Sequence, residues 1–362
     1  MLIYWAIFVV LAAGSLFALE GLPGSRRPTF ILLAAIPIAL MIGLRSRIGP
    51  DFGSYVLIFD GTKYLPLSLD ISHQDPAFYI LNWLAHQAGA TFWQFNLFCA
   101  TIFTGGLVAF SLRQPNPWIA ILVAFPYLVI VVAMSGVRQS IAIGLLFFAL
   151  NAYEENRLWT CTFIVLFASL FHASAILLGP ICVLSHGSKR LLSVVLVILF
   201  SIIGFRVLND SFGTYAGRYS QASIQSTGVW FRLVMNAIPA IIFLNWRWQF
   251  DIDEHQRLLW RNISLLSLVA IPLALILPST TAIDRFILYL FPLQFFVFSR
   301  APQVFAKSVG DRVQITLRII AYAGAAQLTF LTLGTFARFY VPYHSVIEDQ
   351  RGLADYKRFL VH

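Results

Sequence analysis

Residues 118–153, WIAILVAFPYLVIVVAMSGVRQSIAIGLLFFALNAY, form two apolar runs that contain a single charged side chain, Arg138. Each run approaches the length of about 20 residues that an α-helix needs to cross a bilayer. The whole chain repeats this pattern, because 59% of its 362 residues are hydrophobic and only 11% are charged, whereas soluble domains carry roughly 25% charged residues. Continuous apolar runs indicate helices rather than the alternating strands of a barrel. We therefore expect an all-α, polytopic integral membrane protein.

The apolar runs predict about 12 transmembrane helices. They lie near residues 3–19, 30–44, 92–112, 118–134, 136–153, 158–171, 173–185, 191–208, 229–246, 260–277, 283–299 and 315–337. His172 interrupts one apolar stretch, which predicts a broken or re-entrant pair of helices there. We expect residues 1–362 to form a single transmembrane domain with outer loops near 45–91 and 209–228.

The basic residues predict the orientation. Alternate short loops are rich in Lys and Arg and are expected in the cytoplasm, whereas the two long loops and the tail after Arg338 are expected outside. The net charge of +9 is spread between apolar runs, which excludes a nucleic-acid-binding face. Arginines on the outer side, such as Arg138, Arg232 and Arg285, need an anionic partner. That partner is a protein carboxylate, a lipid phosphate or a substrate.

The first outer loop begins with Arg45-Ser46-Arg47-Ile48-Gly49-Pro50-Asp51-Phe52-Gly53-Ser54-Tyr55. Gly-Pro followed by Asp-Phe-Gly is typical of a shaped turn. The turn sets the guanidinium groups of Arg45 and Arg47 and the carboxylate of Asp51 near the outer interface. The structural alternative is a helix C-terminus neutralised by Arg45, followed by an internal Arg–Asp pair.

Two further segments carry candidate groups at the outer boundary. In Ser135-Gly136-Val137-Arg138-Gln139, Ser135 is the expected N-cap of a helix whose free N–H groups lie beside Arg138 and favour an anion such as phosphate. The alternative is that Arg138 only reaches lipid headgroups. In Phe171-His172-Ala173-Ser174-Ala175, His172 is either a hydrogen-bonded packing residue or a proton acceptor.

A fourth segment, Thr281-Ala282-Ile283-Asp284-Arg285, opens the span near 283–299. Thr281 and Asp284 have the spacing of a capping box, which predicts a structural part for Asp284. Arg285 has no such explanation. We expect no metal site, because Asp251-Ile252-Asp253 lies in a basic cytoplasmic loop with nothing to complete it, and no nucleotide-binding P-loop is present.

Taken in order, these segments resemble the EpsG branch of the Wzy-type polysaccharide (O-antigen or exopolysaccharide) polymerases. The matching residues are Arg45, Gly49, Asp51, Tyr55, Asp75-Pro76-Ala77-Phe78, Arg138-Gln139-Ser140-Ile141-Ala142, Phe171-His172-Ala173-Ser174-Ala175, Asp284-Arg285 and Pro342-Tyr343. The likeness spans most of the chain. It departs at Asp75, where the family pattern leads us to expect Glu.

The resemblance implies a GT-C-like fold and a polymerase in the bacterial cytoplasmic membrane, with its site facing the periplasm or exterior. Its substrate would be an undecaprenyl-pyrophosphate-linked oligosaccharide, and a chain-length regulator and a flippase are the protein partners it suggests. The donor is already activated, so we expect no metal and no cofactor.

The residues themselves supply candidate roles for that reaction. Arg138, Arg285 and Arg45 are the candidate pyrophosphate ligands. His172 or Asp51 is the candidate general base. The remaining candidates, which we assign to the substrate loops, are Arg47, Tyr55, Asp75, Gln139 and Asp284.

Three alternatives remain open at this stage. A flippase or transporter of lipid-linked sugars would use the same arginines, but it would more often show repeat symmetry, which the sequence lacks. A membrane acyltransferase would favour a cytoplasmic site for its acyl-CoA donor. An O-antigen ligase would share nearly all the chemistry and differ in its acceptor.

Overall fold

A computed structural model describes residues 1–20, 27–63, 75–186, 228–277 and 280–347. Within these residues all regular structure is helical, apart from one isolated bridge between Arg45 and Ser345. The all-α prediction is therefore confirmed. Some predicted segments lie outside the described residues: the span near 191–208, the outer loop near 209–228 up to residue 227, and residues 64–74 of the first outer loop.

The helices follow the apolar runs. In chain order they are α1 (Leu2–Phe17), α2 (Arg27–Gly43), α3 (Phe52–Thr62), α4 (Pro76–Gln87), α5 (Phe92–Ser111), α6 (Pro117–Ala124), α7 (Val137–Glu154), α8 (Leu158–Ser169), α9 (Leu178–Ser185), α10 (Val229–Trp246), α11 (Glu254–Ile276), α12 (Thr281–Ile287), α13 (Pro292–Val304) and α14 (Val309–Leu333). Two begin earlier than expected: α11 starts at Glu254 and α14 at Val309. Polar first turns extend these helices beyond their apolar runs, so hydropathy alone places their starts too late.

Four helices in the described part of the chain, α5, α10, α11 and α14, are long and apolar enough to cross a membrane. Shorter apolar helices occupy Leu2–Phe17, Pro28–Gly43, Pro117–Ala133, Leu158–Ser169 and Ala173–Ser185. Large apolar side chains such as Phe163 and Leu275 are also exposed on the surface. These features indicate a membrane protein, while the count of about 12 crossings stays a prediction.

Small residues allow a close contact between α5 and α7. A Cβ added at Gly106 on α5 would lie 2.0 Å from the carbonyl oxygen of Gly144 on α7. A side chain at either position would therefore push the two backbones apart, as at other small-residue interfaces between membrane helices. This contact fixes α7, whose first turn carries Arg138, against α5.

Two irregular segments interrupt the bundle near the candidate residues. The chain continues from α6 into a π-helical stretch, Phe125–Ala133, before α7 starts. Between α8 and α9, His172 is extended (φ −155°, ψ 113°) and is followed by a 3₁₀ turn, Ala173–Leu177. The predicted interruption at His172 is confirmed. Such breaks at membrane depth are often found where the backbone lines a cavity or a site.

The first outer loop is fastened to the C-terminal segment. The N–H of Ser46 donates to the carbonyl of His344 at 2.9 Å, and that of Gly49 donates to Phe339 at 2.9 Å. Gly49 has φ +90°, and a Cβ there would lie 2.3 Å from the carbonyl oxygen of Met134. Only glycine fits this conformation and this approach. Two segments that the sequence assigns to the same side of the membrane thus lie in contact.

Candidate functional site

The carboxylate of Asp75 joins three segments that are far apart in sequence. Asp75 precedes α4 in a left-handed conformation (φ 63°), and its side chain is only 7% exposed. Its Oδ2 accepts a hydrogen bond from Nη1 of Arg138 at 2.7 Å, and its Oδ1 accepts one from the N–H of Ala173 at 3.2 Å. Nδ1 of His172 lies 4.0 Å from the same Oδ2. We call Asp75, Arg138 and His172 the Asp75 cluster.

The Asp75 cluster has the composition of an acid–base site. Nδ1 of His172 is buried and has no hydrogen-bond partner among the described residues, and the nearest carboxylate oxygen is that of Asp75. A carboxylate at Nδ1 favours the tautomer with its proton there, which leaves Nε2 to accept a proton. Distances between such partners are often long in a substrate-free site and shorten in the reactive complex.

Tyr55 on α3 helps to hold Arg138 in place. Its hydroxyl oxygen accepts a hydrogen bond from the backbone N–H of Arg138 at 3.5 Å. The guanidinium carbon of the same arginine lies 5.8 Å from the centroid of the Tyr55 ring, within the range of a cation–π contact. Burial raises the pKa of the Tyr55 hydroxyl, so it stays neutral at physiological pH. Tyr55 therefore positions the arginine without adding charge.

A second polar group adjoins the cluster. The hydroxyls of Ser174 and Tyr289 lie 3.0 Å apart. Arg285 is half-buried and close enough to act electrostatically on Tyr289. Neither Ser174 nor Tyr289 is among the site residues predicted from the sequence. Two features of the sequence could have indicated these residues: Ser174 lies two residues after His172, and Tyr289 has the helical i+4 spacing from Arg285.

Asp284 forms an ion pair with a residue of α10. The N-cap of α12 is Thr280, whose side chain makes no capping bond, and the capping box of Thr281 and Asp284 stays a prediction. The carboxylate of Asp284 pairs with Arg232 on α10, and Arg232 also donates to the hydroxyl of Tyr127.

Asp51 lies on a cavity rather than in the Asp75 cluster. Its Oδ2 accepts a hydrogen bond from the hydroxyl of Ser135 at 2.8 Å. The N-cap of α7 is Gly136, so the predicted capping role of Ser135 is wrong, because its hydroxyl is used by Asp51. The cavity has a volume of about 370 Å³, and its polar lining includes Asp51, Ser135, Gln139 and Arg232. Its apolar wall includes Val131, Phe231, Leu288, Phe330 and Leu333.

Comparison with known proteins identifies the family of the chain. A family model described as the EpsG family matches residues 29–345. The chain belongs to the EpsG family. The Asp75 cluster and the cavity fall within the matched residues, and membership implies a membrane protein that resembles a polysaccharide polymerase. No curated protein and no solved structure matches the chain.

Arg45 of this EpsG protein is buried beneath the loop. Its Nη1 donates to the carbonyl of Ile42 at 2.6 Å and to Oδ1 of Asn96 at 3.1 Å, and its Nε donates to Ile48 at 3.3 Å. Burial lowers the pKa of Arg45 to about 10, so the group remains charged at neutral pH. A charge enclosed by backbone acceptors holds the turn together, and we leave Arg45 out of the pyrophosphate site proposed below.

Arg47 lies in the same turn, directly after Ser46. Its backbone is in the left-handed region (φ 58°), and its side chain is exposed. The structure of this EpsG protein thus brings together only some of the predicted residues. Arg138, His172 and Asp75 form the cluster and Tyr55 contacts Arg138, whereas Asp51 and Gln139 lie on the cavity.

Proposed function

We propose that this protein is a polysaccharide polymerase that transfers a growing glycan from undecaprenyl pyrophosphate to a lipid-linked repeat unit. The observation that carries the proposal is the Asp75 cluster, which places a histidine and an arginine on one carboxylate within the residues that match the family. A glycosyl transfer with a pyrophosphate leaving group needs a proton acceptor and a cation. The cluster supplies both.

His172 and Arg138 have separate roles in the proposed reaction. The acceptor sugar hydroxyl attacks the anomeric carbon of the donor, and His172 takes its proton while Asp75 orients the ring. The bond between that carbon and the pyrophosphate breaks. Arg138, whose side chain is 30% exposed, and Arg285 stabilise the charge that builds on the departing lipid pyrophosphate. Asp51 is the alternative base, on the cavity side.

The proposal includes an orientation in the bacterial cytoplasmic membrane, with about 12 crossings, a GT-C-like arrangement and the Asp75 cluster facing the periplasm or exterior. Its support is that the first outer loop, the start of α7 and the C-terminal segment lie together. The native thiols of Cys99, Cys161 and Cys182 are buried, so single exposed cysteines can report the topology. Lys63→Cys should react with an impermeant reagent only from outside, and Asp251→Cys only from inside. The opposite pattern would move the cluster to the wrong face.

A purified-component assay tests the reaction itself. The protein, reconstituted without other components, is given one lipid-linked repeat unit, and the products are separated by size. A ladder of longer glycans on lipid is expected for the wild type and its absence for His172→Gln. Movement of unchanged substrate across the bilayer would indicate a flippase. In parallel reactions that add either an acceptor without a polyprenyl anchor or acyl-CoA, transfer to that acceptor in place of the ladder would indicate a ligase, and acyl transfer would indicate an acyltransferase. In the cell, a chain-length regulator and a flippase would act with the polymerase.

A further inference from the structure

A second pocket lies at the opposite ends of the helices that carry the candidate site. It has a volume of about 440 Å³ and is formed by the end of α5, the end of α7 and the start of α8. Arg138 lies in the first turn of α7, and this pocket lies at its last turn. At 1.5 Å per residue, the 13 residues from Arg138 to Asn151 along α7 separate the two by about 20 Å. The two sites therefore face opposite sides of the bundle.

Two arginines give this pocket its charge. Arg113 and Arg157 both pair with the carboxylate of Glu155, one with each oxygen. The hydrogen bond from Arg113 holds the pKa of Glu155 below its usual range, so the three side chains together carry a net charge of +1. The arginine side chains are 38% and 58% exposed. A second anion can therefore approach them from the solvent-exposed side.

The helix that starts at this pocket adds to the positive potential. α8 begins at Leu158, and its N-cap residue, Arg157, makes no side-chain capping bond. The first N–H groups of a helix favour an anion, and more so when no side chain caps them. Thr160, in this first turn, lines the pocket. Asn151 also lines it, and the Oδ1 of this buried side chain has no hydrogen-bond partner among the described residues.

The rest of the pocket is apolar and continues onto an apolar surface. Ala109, Leu112, Phe148 and Ile164 line it, and the neighbouring Phe163 on α8 is 69% exposed. A ligand that fits has an anionic head for the arginines, hydroxyls for Asn151 and Thr160, and a hydrocarbon tail. We propose that this pocket binds an anionic glycerophospholipid with a polyol headgroup, its phosphodiester between Arg113 and Arg157. This site is independent of the polymerase reaction.

Native mass spectrometry with added phosphatidylglycerol tests the proposal, with phosphatidylcholine as the neutral lipid for comparison. Each guanidinium lost removes a charge-assisted hydrogen bond, so Arg113→Gln/Arg157→Gln should weaken phosphatidylglycerol binding roughly tenfold or more. Arg312→Gln/Arg318→Gln is the matched control, because it removes two exposed arginines of α14 at the same predicted side of the membrane. This control should bind like the wild type.

Glu155→Gln provides a test in the opposite direction. Removing the competing carboxylate leaves the full charge of both arginines for the lipid, so phosphatidylglycerol binding should strengthen. Equal weakening in the two double variants would show a general charge effect, and unchanged or weaker binding in Glu155→Gln would show an ion pair that only supports the fold. Equally tight binding of soluble glycerol 1-phosphate would show that the acyl chains are not recognised. Each of these three results would overturn the proposal.

Discussion

Asp75→Asn is the substitution that separates the Asp75 cluster from its surroundings most cleanly. Asparagine tolerates the left-handed conformation of this position (φ 63°), and its Oδ1 can keep the bond from the N–H of Ala173. The charge-assisted bond from Arg138, at 2.7 Å, is lost. Such bonds contribute about 1.5–3 kcal/mol. Because Arg138 is partly exposed, water can solvate its guanidinium group when the carboxylate is gone, and no unpaired buried charge results. The free energy of unfolding should therefore fall by about this amount.

The effect on turnover should be much larger than the effect on stability. Without a carboxylate at Nδ1, His172 loses the group that orients it, and we expect a loss on the order of 10²-fold in the rate of chain extension. The assay compares initial rates of glycan extension with thermal stability in the same preparation. Asp251→Asn, at an exposed site in the loop between α10 and α11, is the matched control and should change neither. An Asp75→Asn protein that extends glycans at more than half the wild-type rate would refute the positioning of His172 by Asp75.

Substitutions at four other residues test separate parts of the proposed mechanism and of the fold. His172→Gln should leave a folded protein that extends glycans about 10²–10⁴-fold more slowly, whereas Asp51→Asn should lower the rate less; normal rates in both variants would mean that neither residue is the base. Arg138→Lys should keep part of the activity and Arg138→Ala almost none, because lysine loses the bidentate fork; full activity of Arg138→Ala would make it a headgroup anchor. Gly49→Ala should lower the free energy of unfolding by about 1–3 kcal/mol, because φ is +90° and the carbonyl oxygen of Met134 lies 2.3 Å from the new Cβ. An unchanged melting temperature would contradict this.

The helices could be predicted because hydropathy measures what a membrane helix needs locally. The apolar runs place the helices, and a polar histidine inside one run predicts the break between α8 and α9. The starts of α11 and α14 could not be predicted in the same way, because their first turns are polar and depend on contacts outside the run. The π-helical stretch Phe125–Ala133 also leaves no distinct signal in the apolar pattern.

The sequence predicts which types of residue form the candidate site, but it does not predict which of these side chains pair with one another. Outer arginines need anions, and the structure pairs Arg138 with Asp75 and Arg232 with Asp284. Which carboxylate meets which arginine depends on packing between segments far apart in sequence. Asp284 is an example, because no local rule predicts its distant partner Arg232. Tyr289 was missed because its hydroxyl gains a partner only when α8 and the segment after α12 are brought together.

The central claim is that the protein forms a glycosidic bond and releases a lipid pyrophosphate in the same step. The most direct measurement counts both products when the reconstituted protein acts on a doubly labelled lipid-linked repeat unit, with one label in the glycan and one in the polyprenyl chain. The account predicts one polyprenyl pyrophosphate released for each new glycosidic bond, and neither product with His172→Gln. Release of the lipid without a new bond, or transfer of the intact substrate across the bilayer with no release, would contradict it.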